Sequence, residues 1–83
     1  MKEGKMDQVN QLSVLRQHLE WSKERARLLE EIENTLVEMR ELAEEAMNPQ
    51  LDEEDRQELN ERFIKLESQL IELQKEATGA NLH

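Results

Sequence analysis

The chain has no cysteine and no tyrosine, a single proline at Pro49, and glycine only at Gly4 and Gly79. Each scarcity excludes something. Without cysteine there is no disulfide and no thiolate metal site. With Trp21 and Phe63 as the only aromatic residues, neither a base-stacking platform nor a β-sandwich core can be assembled. Two isolated glycines rule out a glycine-rich phosphate loop, and no nucleophile elbow is present. No stretch is apolar enough to span a bilayer, and Met1 to Met6 holds lysines with no apolar run behind them, unlike a signal peptide. These absences predict a protein that is not an enzyme, has no cofactor, metal or catalytic residue, does not enter a membrane and works in the cytoplasm.

What is present points to helices. Glu, Leu, Gln, Arg and Lys dominate, all good helix formers. The mean hydropathy of −0.93 and the 37% charged residues are low enough to suggest disorder, but leucine spacing over residues 8–77 is too regular for that. The net charge of −9 is unevenly spread. Residues 1–29 carry six cations and four acids, whereas residues 30–62 carry thirteen acids and three cations. A field of that sign near Pro49 repels phosphate backbones, so no nucleic-acid partner is expected.

A ladder of apolar residues runs Leu12, Leu15, Leu19, Ser22, Ala26, Leu29, alternating steps of three and four as a coiled-coil seam does. It continues Leu29, Ile32, Leu36, Met39, Ala43, Ala46. The two runs join through consecutive steps of three, either a stammer that overwinds the supercoil or a rotation of the buried face toward a different neighbour. Asp7 is a plausible N-cap. Asn48-Pro49 ends this first helix, since proline offers no N–H and disfavours a helical residue before it. Asp52 is the expected N-cap of a second helix, with Glu53, Glu54 and Asp55 suited to its positive end. Its ladder runs Leu59, Phe63, Leu66, Leu70, Leu73, Ala77, with Ile64 and Ile71 widening the stripe. Gly79 fits a left-handed C-cap. On the outer face Asp52–Arg56, Glu58–Arg62 and Glu61–Lys65 are spaced for ion pairs.

The predicted fold is therefore all-α, an antiparallel helical hairpin with a long helix over about residues 8–47 and a shorter one over about 53–77, coiled-coil-like and expected to dimerise as a helical bundle. Residues 1–7 are expected to be a disordered lead-in, 8–78 one hairpin domain, and 79–83 a disordered tail. The shorter helix would cover about residues 22–47 of the longer one, leaving Leu12, Leu15 and Leu19 without an intrachain neighbour. An exposed strip of this kind marks a protein contact. Trp21 sits at the edge of the seam where the second helix runs out; it reads as core filler or as an interface anchor, since tryptophans that fill a partner's pocket dominate binding energy.

Other candidates have bland explanations. His18 has Ser22 four residues on but no third group to orient it, so it reads as a solvent-facing or interface-edge histidine. Glu38, Glu41, Glu44 and Glu45 share a helix face without the Glu-x-x-His pairs of di-metal bundles, and read as a solvated face. Asp52 to Asp55 lack the glycine of a calcium loop, Gln57 standing at its sixth position, and are better explained by capping. Arg16, Lys23, Arg25 and Arg27 form a modest basic patch that nearby acids can pair.

The stretch Thr35-Leu36-Val37-Glu38-Met39-Arg40-Glu41-Leu42-Ala43-Glu44-Glu45-Ala46-Met47-Asn48 resembles the N-terminal conserved segment of bacterial flagellins and flagellar hook-associated junction proteins, with an Arg-Glu-Leu-Ala core followed by alanines and an asparagine at the helix end. Leu51 to Leu59, with its Asp55-Arg56 pair, and Ala77 to Leu82 are similar to the following helix and its exit. The likeness covers about residues 35–82. It departs from the family at Pro49, in residues 1–34, and in lacking the C-terminal helix of the filament core. The resemblance implies a long helix, a turn and a shorter antiparallel helix, places Arg40, Glu41, Leu42 and Ala43 at subunit contacts, and implies an exported flagellar component. The expected role is thus a self-associating helical interaction module, a homodimer first, with a flagellin-like structural or assembly part as one form. The alternative is a small cytoplasmic regulator, adaptor or chaperone that binds a partner helix.

Overall fold

The computed structural model describes the backbone of residues 2–79 and the side chains of residues 8–79. Helix α1 spans Lys2–Ala46 and helix α2 spans Glu53–Gly79; they pack against each other as a helical hairpin, with no strand among the described residues. The molecule is a rod of 76 × 15 × 12 Å. Its radius of gyration of 21.3 Å is far above the ~12 Å of a compact chain of this length.

The turn is built from local hydrogen bonds. The last turn of α1 tightens, the N–H groups of Met47 and Asn48 donating to the carbonyls of Glu44 and Glu45, both at 3.1 Å. Asn48 then acts twice: its side-chain oxygen accepts from the Gln50 N–H at 3.0 Å and its carbonyl from the Leu51 N–H at 3.4 Å. An asparagine side chain that imitates a backbone turn is what Pro49 needs beside it, since proline itself donates nothing. Asp52 caps α2 as expected, its carboxylate accepting from the Asp55 N–H at 2.8 Å, and Glu53, Glu54 and Asp55 occupy the first turn. Neither helix has a basic residue in its last turn.

Both outer ends differ from expectation. α1 is helical from Lys2, so Asp7 lies within the helix and does not cap it. No proline interrupts this stretch, and the single Gly4 costs only about 1 kcal/mol against alanine. α2 runs through Gly79, which has no positive φ and forms no left-handed cap. The expected tail beyond it, residues 80–83, lies outside the described residues, as does Met1. The three ion pairs anticipated on α2 do not close; those that form within hydrogen-bond or ion-pair distance are Arg27 with Glu24 and Glu31, Arg40 with Glu44, and Lys75 with Glu72.

The core is thin. Leu28, Leu42, Leu73 and Ala77 are its buried apolar residues. Leu28 meets Leu73 and Ala77, with Ile32 packed against them. Thr35 is also buried and satisfies its hydroxyl by donating to the Glu31 carbonyl at 2.8 Å. On α2 the whole predicted ladder from Leu59 to Ala77 is buried or half-buried. On α1 the seam is Trp21, Leu28, Ile32, Thr35, Met39, Leu42. Of the expected seam, Ile32 and Met39 are half-buried on this line, whereas Leu29, Leu36 and Ala43 lie one residue past it, about 100° around the helix at 3.6 residues per turn, and Ala46 is exposed. Leu29 and Leu36 are 50% and 48% exposed. Apolar side chains at both 28 and 29 and at both 42 and 43 offer two parallel lines. The one chosen carries the larger Leu42 in place of Ala43 and extends to Trp21.

Candidate protein-interaction surface

The first α1 ladder and the hairpin seam are thus two different faces of one helix. The run Leu12, Leu15, Leu19, Ser22, Ala26, Leu29 continues in step to Leu36 and Ala43, all of it exposed. The apparent stammer is the point where the sequence changes from one face to the other; from Leu28 to Leu42 the intrachain seam alternates steps of four and three, with Trp21 a full heptad before it. The face that α1 buries against α2 is therefore not the face of the first ladder, which is exposed.

α2 contributes to the same side of the molecule. Ile64 and Ile71 follow Phe63 and Leu70 by one residue, as Leu29 and Leu36 follow Leu28 and Thr35. In an antiparallel pair, a step in the same chain sense on both helices turns both side chains toward the same flank. Ile64 and Ile71 are 52% and 45% exposed. The result is one long apolar flank: leucines alone where α2 is absent, and leucines beside isoleucines where it is present.

Among the described residues, eleven large apolar side chains are exposed, four apolar ones are buried and eight large ones are half-buried, so much of the molecule's apolar surface is left outside the hairpin. The accessible surface of 7319 Å² compares with ~5,200 Å² for a compact 9.9 kDa monomer. The excess is larger than the ~800 Å² each partner gives to a standard protein interface.

Of the residues singled out from sequence, Leu12, Leu15 and Leu19 are exposed along this flank at 57%, 64% and 56%. Trp21 is half-buried on the hairpin seam, one heptad before Leu28. Its indole N–H is shielded from solvent with no hydrogen-bond partner among the described residues. His18 is exposed and meets the Trp21 ring edge-on, with centroids 6.1 Å apart at 85°. Leu42 is buried against α2, while Arg40, Glu41 and Ala43 are exposed. Arg40 donates to Glu44 at 3.1 Å, and Ala43 lines a shallow groove with Ala46, Arg56 and Phe63 at the turn end. Sequence reasoning missed Leu29, Leu36, Val37 and Ile64 as surface residues, assigning the first two to the core. The doublets Leu28-Leu29 and Leu36-Val37 were the available signal, because a helix cannot bury two adjacent residues in one narrow seam.

The polar face is organised around Arg27, which donates to Glu24 at 2.6 and 3.1 Å and to Glu31 at 2.6 Å. The hydrogen bonds from Arg27 hold the Glu24 carboxyl below its ordinary range, partly opposed by desolvation and aided by the guanidinium charge. The same contacts raise Arg27, which stays protonated throughout. Among the described residues no group of three His, Asp or Glu is placed to hold a metal ion, and no helix is long and apolar enough to cross a membrane. Compared with known protein families, curated proteins and solved structures, the chain matches none.

Proposed function

We propose that this protein is a non-enzymatic helical interaction module that works by self-association, the apolar flank of α1 being its contact surface. The support is a single contrast: Leu12, Leu15 and Leu19 form a regular helical ladder and yet stand exposed on the part of α1 that α2 leaves uncovered. Isolated exposed leucines are ordinary on protein surfaces, but an aligned strip is not. Burying it removes apolar surface from water at about 25 cal/mol per Å². The charges on either side then set orientation and exclude wrong partners.

A flagellin-like structural or assembly component is one form of this function. It is favoured by the Arg40-Glu41-Leu42-Ala43 stretch together with a long helix, a turn and a shorter antiparallel helix. Capture of a different protein's amphipathic helix by the same flank is the other reading, favoured by the length of helix that α2 leaves bare.

Sedimentation of the full chain across a concentration series tests the proposal. A dimer at micromolar concentrations is expected, with melting that rises as protein concentration rises. Leu15→Asp places a charge in the strip and should shift the chain to monomer while leaving the hairpin helical. A wild-type chain that sediments as monomer at every concentration would remove self-association and leave capture of a foreign helix.

A further inference from the structure

We infer that two copies pair α1 against α1 antiparallel, across a dyad midway between Ser22 and Ala26, in one specific register. This rests on the self-association proposed above and adds its geometry. The occupant of the flank is a second copy because the strip matches itself when reversed and the charge on either side of its midpoint does too; a parallel copy would also stack its leucines but would set Glu33 against Glu33. In an antiparallel pair of helices, residues at the two kinds of seam position face each other in layers. With the dyad at this point, Leu12 meets Leu36 of the second copy, Leu19 meets Leu29, and Ser22 meets Ala26. The two small residues let the backbones approach where the helices cross. Slipping by one heptad in either direction leaves only one kind of leucine–leucine layer. In one slipped register Leu15 meets Arg40 and Leu12 meets Ala43; in the other Leu36 falls opposite position 5.

The residues bordering the strip agree with the same register. They lie one residue past the seam positions, and there Val9 falls beside Val37 of the second copy and Arg16 beside Glu30. Val9 and Val37 are 65% and 48% exposed, and nothing in the hairpin uses either. Charge makes the same choice of direction. In this register residues 2–18, with three cations and two acids, lie along residues 30–46, with seven acids and one cation, and residues 19–29 lie along themselves. A parallel copy would instead stack the acids of residues 30–46 on one another. The cost falls at the charged layers, where Glu33 faces Leu15 and Arg40 faces Gln8, and beside the dyad, where Lys23 lies opposite Lys23 of the second copy.

The overhang of each copy then lies along the other copy's α1, on the side that carries Ile64 and Ile71.

The absence of native cysteine makes the test direct. Val9→Cys, Val37→Cys and the double variant are treated with a short bismaleimide that reaches about one helix diameter, ~10 Å. Positions 9 and 37 of one chain are ~42 Å apart on a straight helix, beyond its reach. The double variant should convert to a closed covalent dimer, and each single variant should give no more than background. Linked dimer from Val9→Cys alone, a ladder of higher species from the double variant, or a dimer by sedimentation that yields no link would each overturn the register while leaving self-association standing. Monomer by sedimentation would remove both. Helical content measured on every variant separates loss of pairing from loss of fold.

Discussion

At the scale of single residues, the seam chosen by the hairpin separates two neighbours that look alike in sequence. Leu28 is 2% exposed and Leu29 50%. Leu28→Ala removes a fully covered side chain from beside Leu73 and Ala77 and should cost about 2–5 kcal/mol. Leu29→Ala removes nothing from the hairpin core and improves helix propensity slightly. In dilute protein it should leave stability within a few tenths of a kcal/mol, and its effect should grow as concentration rises, because Leu29 belongs to the intermolecular strip. Denaturant titration of both variants at two protein concentrations measures this. Equal losses from the two at low concentration would show that α2 packs on the other line. Thr35 shows why the seam tolerates a polar centre: its hydroxyl is satisfied by the preceding turn, so the buried oxygen carries little penalty.

At the scale of elements, the connection is a sequence of small local decisions, and each has a measurable share. The Asp52 carboxylate holds the Asp55 N–H in the first turn of α2. Asp52→Ala should therefore cost about 0.5–2 kcal/mol, seen as a drop in melting temperature of roughly 4–8 °C per kcal/mol. Asp52→Asn, which keeps an acceptor, should recover most of it. A melting temperature unmoved by the alanine variant would mean that the helix start is held by packing alone. Much of this level is legible in the sequence, since Pro49, Asn48 and Asp52 carry their conformations with them. The α2 ladder was legible because Leu59 to Ala77 has only one apolar line of full length. The α1 seam was legible only in part, at Ile32 and Met39, because Leu28-Leu29 and Leu42-Ala43 present two lines and the chosen one carries the polar Thr35 beside Leu36, so periodicity alone cannot say which line α2 will choose. The helix ends were not legible either. Asp7 and Gly79 are good caps by residue type, but a helix continues past a capping residue wherever the chain beyond it also favours helix.

At the scale of the whole molecule, charge opposes the fold it surrounds. Thirteen of the twenty acids lie in residues 30–62, crowded around the turn, and the chain carries a net charge of −9 at neutral pH. Among the described residues only a few of these acids are in ion pairs, and those pairs are exposed. Self-repulsion of this kind destabilises a compact state. Salt shortens its range from about 10 Å at 0.1 M to about 3 Å at 1 M. Acidification reduces it too, because each proton taken up removes a negative charge. Melting temperature should therefore rise with salt at pH 7, and rise between pH 7 and pH 5 at fixed ionic strength. Glu24 works in the opposite direction at lower pH. Its folded-state pKa is depressed by Arg27, so its contribution is present above the unfolded value and is lost as pH falls through the folded one. That loss falls below about pH 4.5, under the window in which repulsion is being relieved, and it belongs to one exposed group against thirteen crowded acids. A melting temperature that peaks in mildly acidic solution is the expected profile. A steady fall from pH 7 to pH 5 would mean that ion pairing of the acids, within the hairpin or across the proposed dyad, outweighs their mutual repulsion. Repeating the series at 1 M salt separates the two, because screening removes a decline caused by exposed ion pairs and leaves one caused by packing.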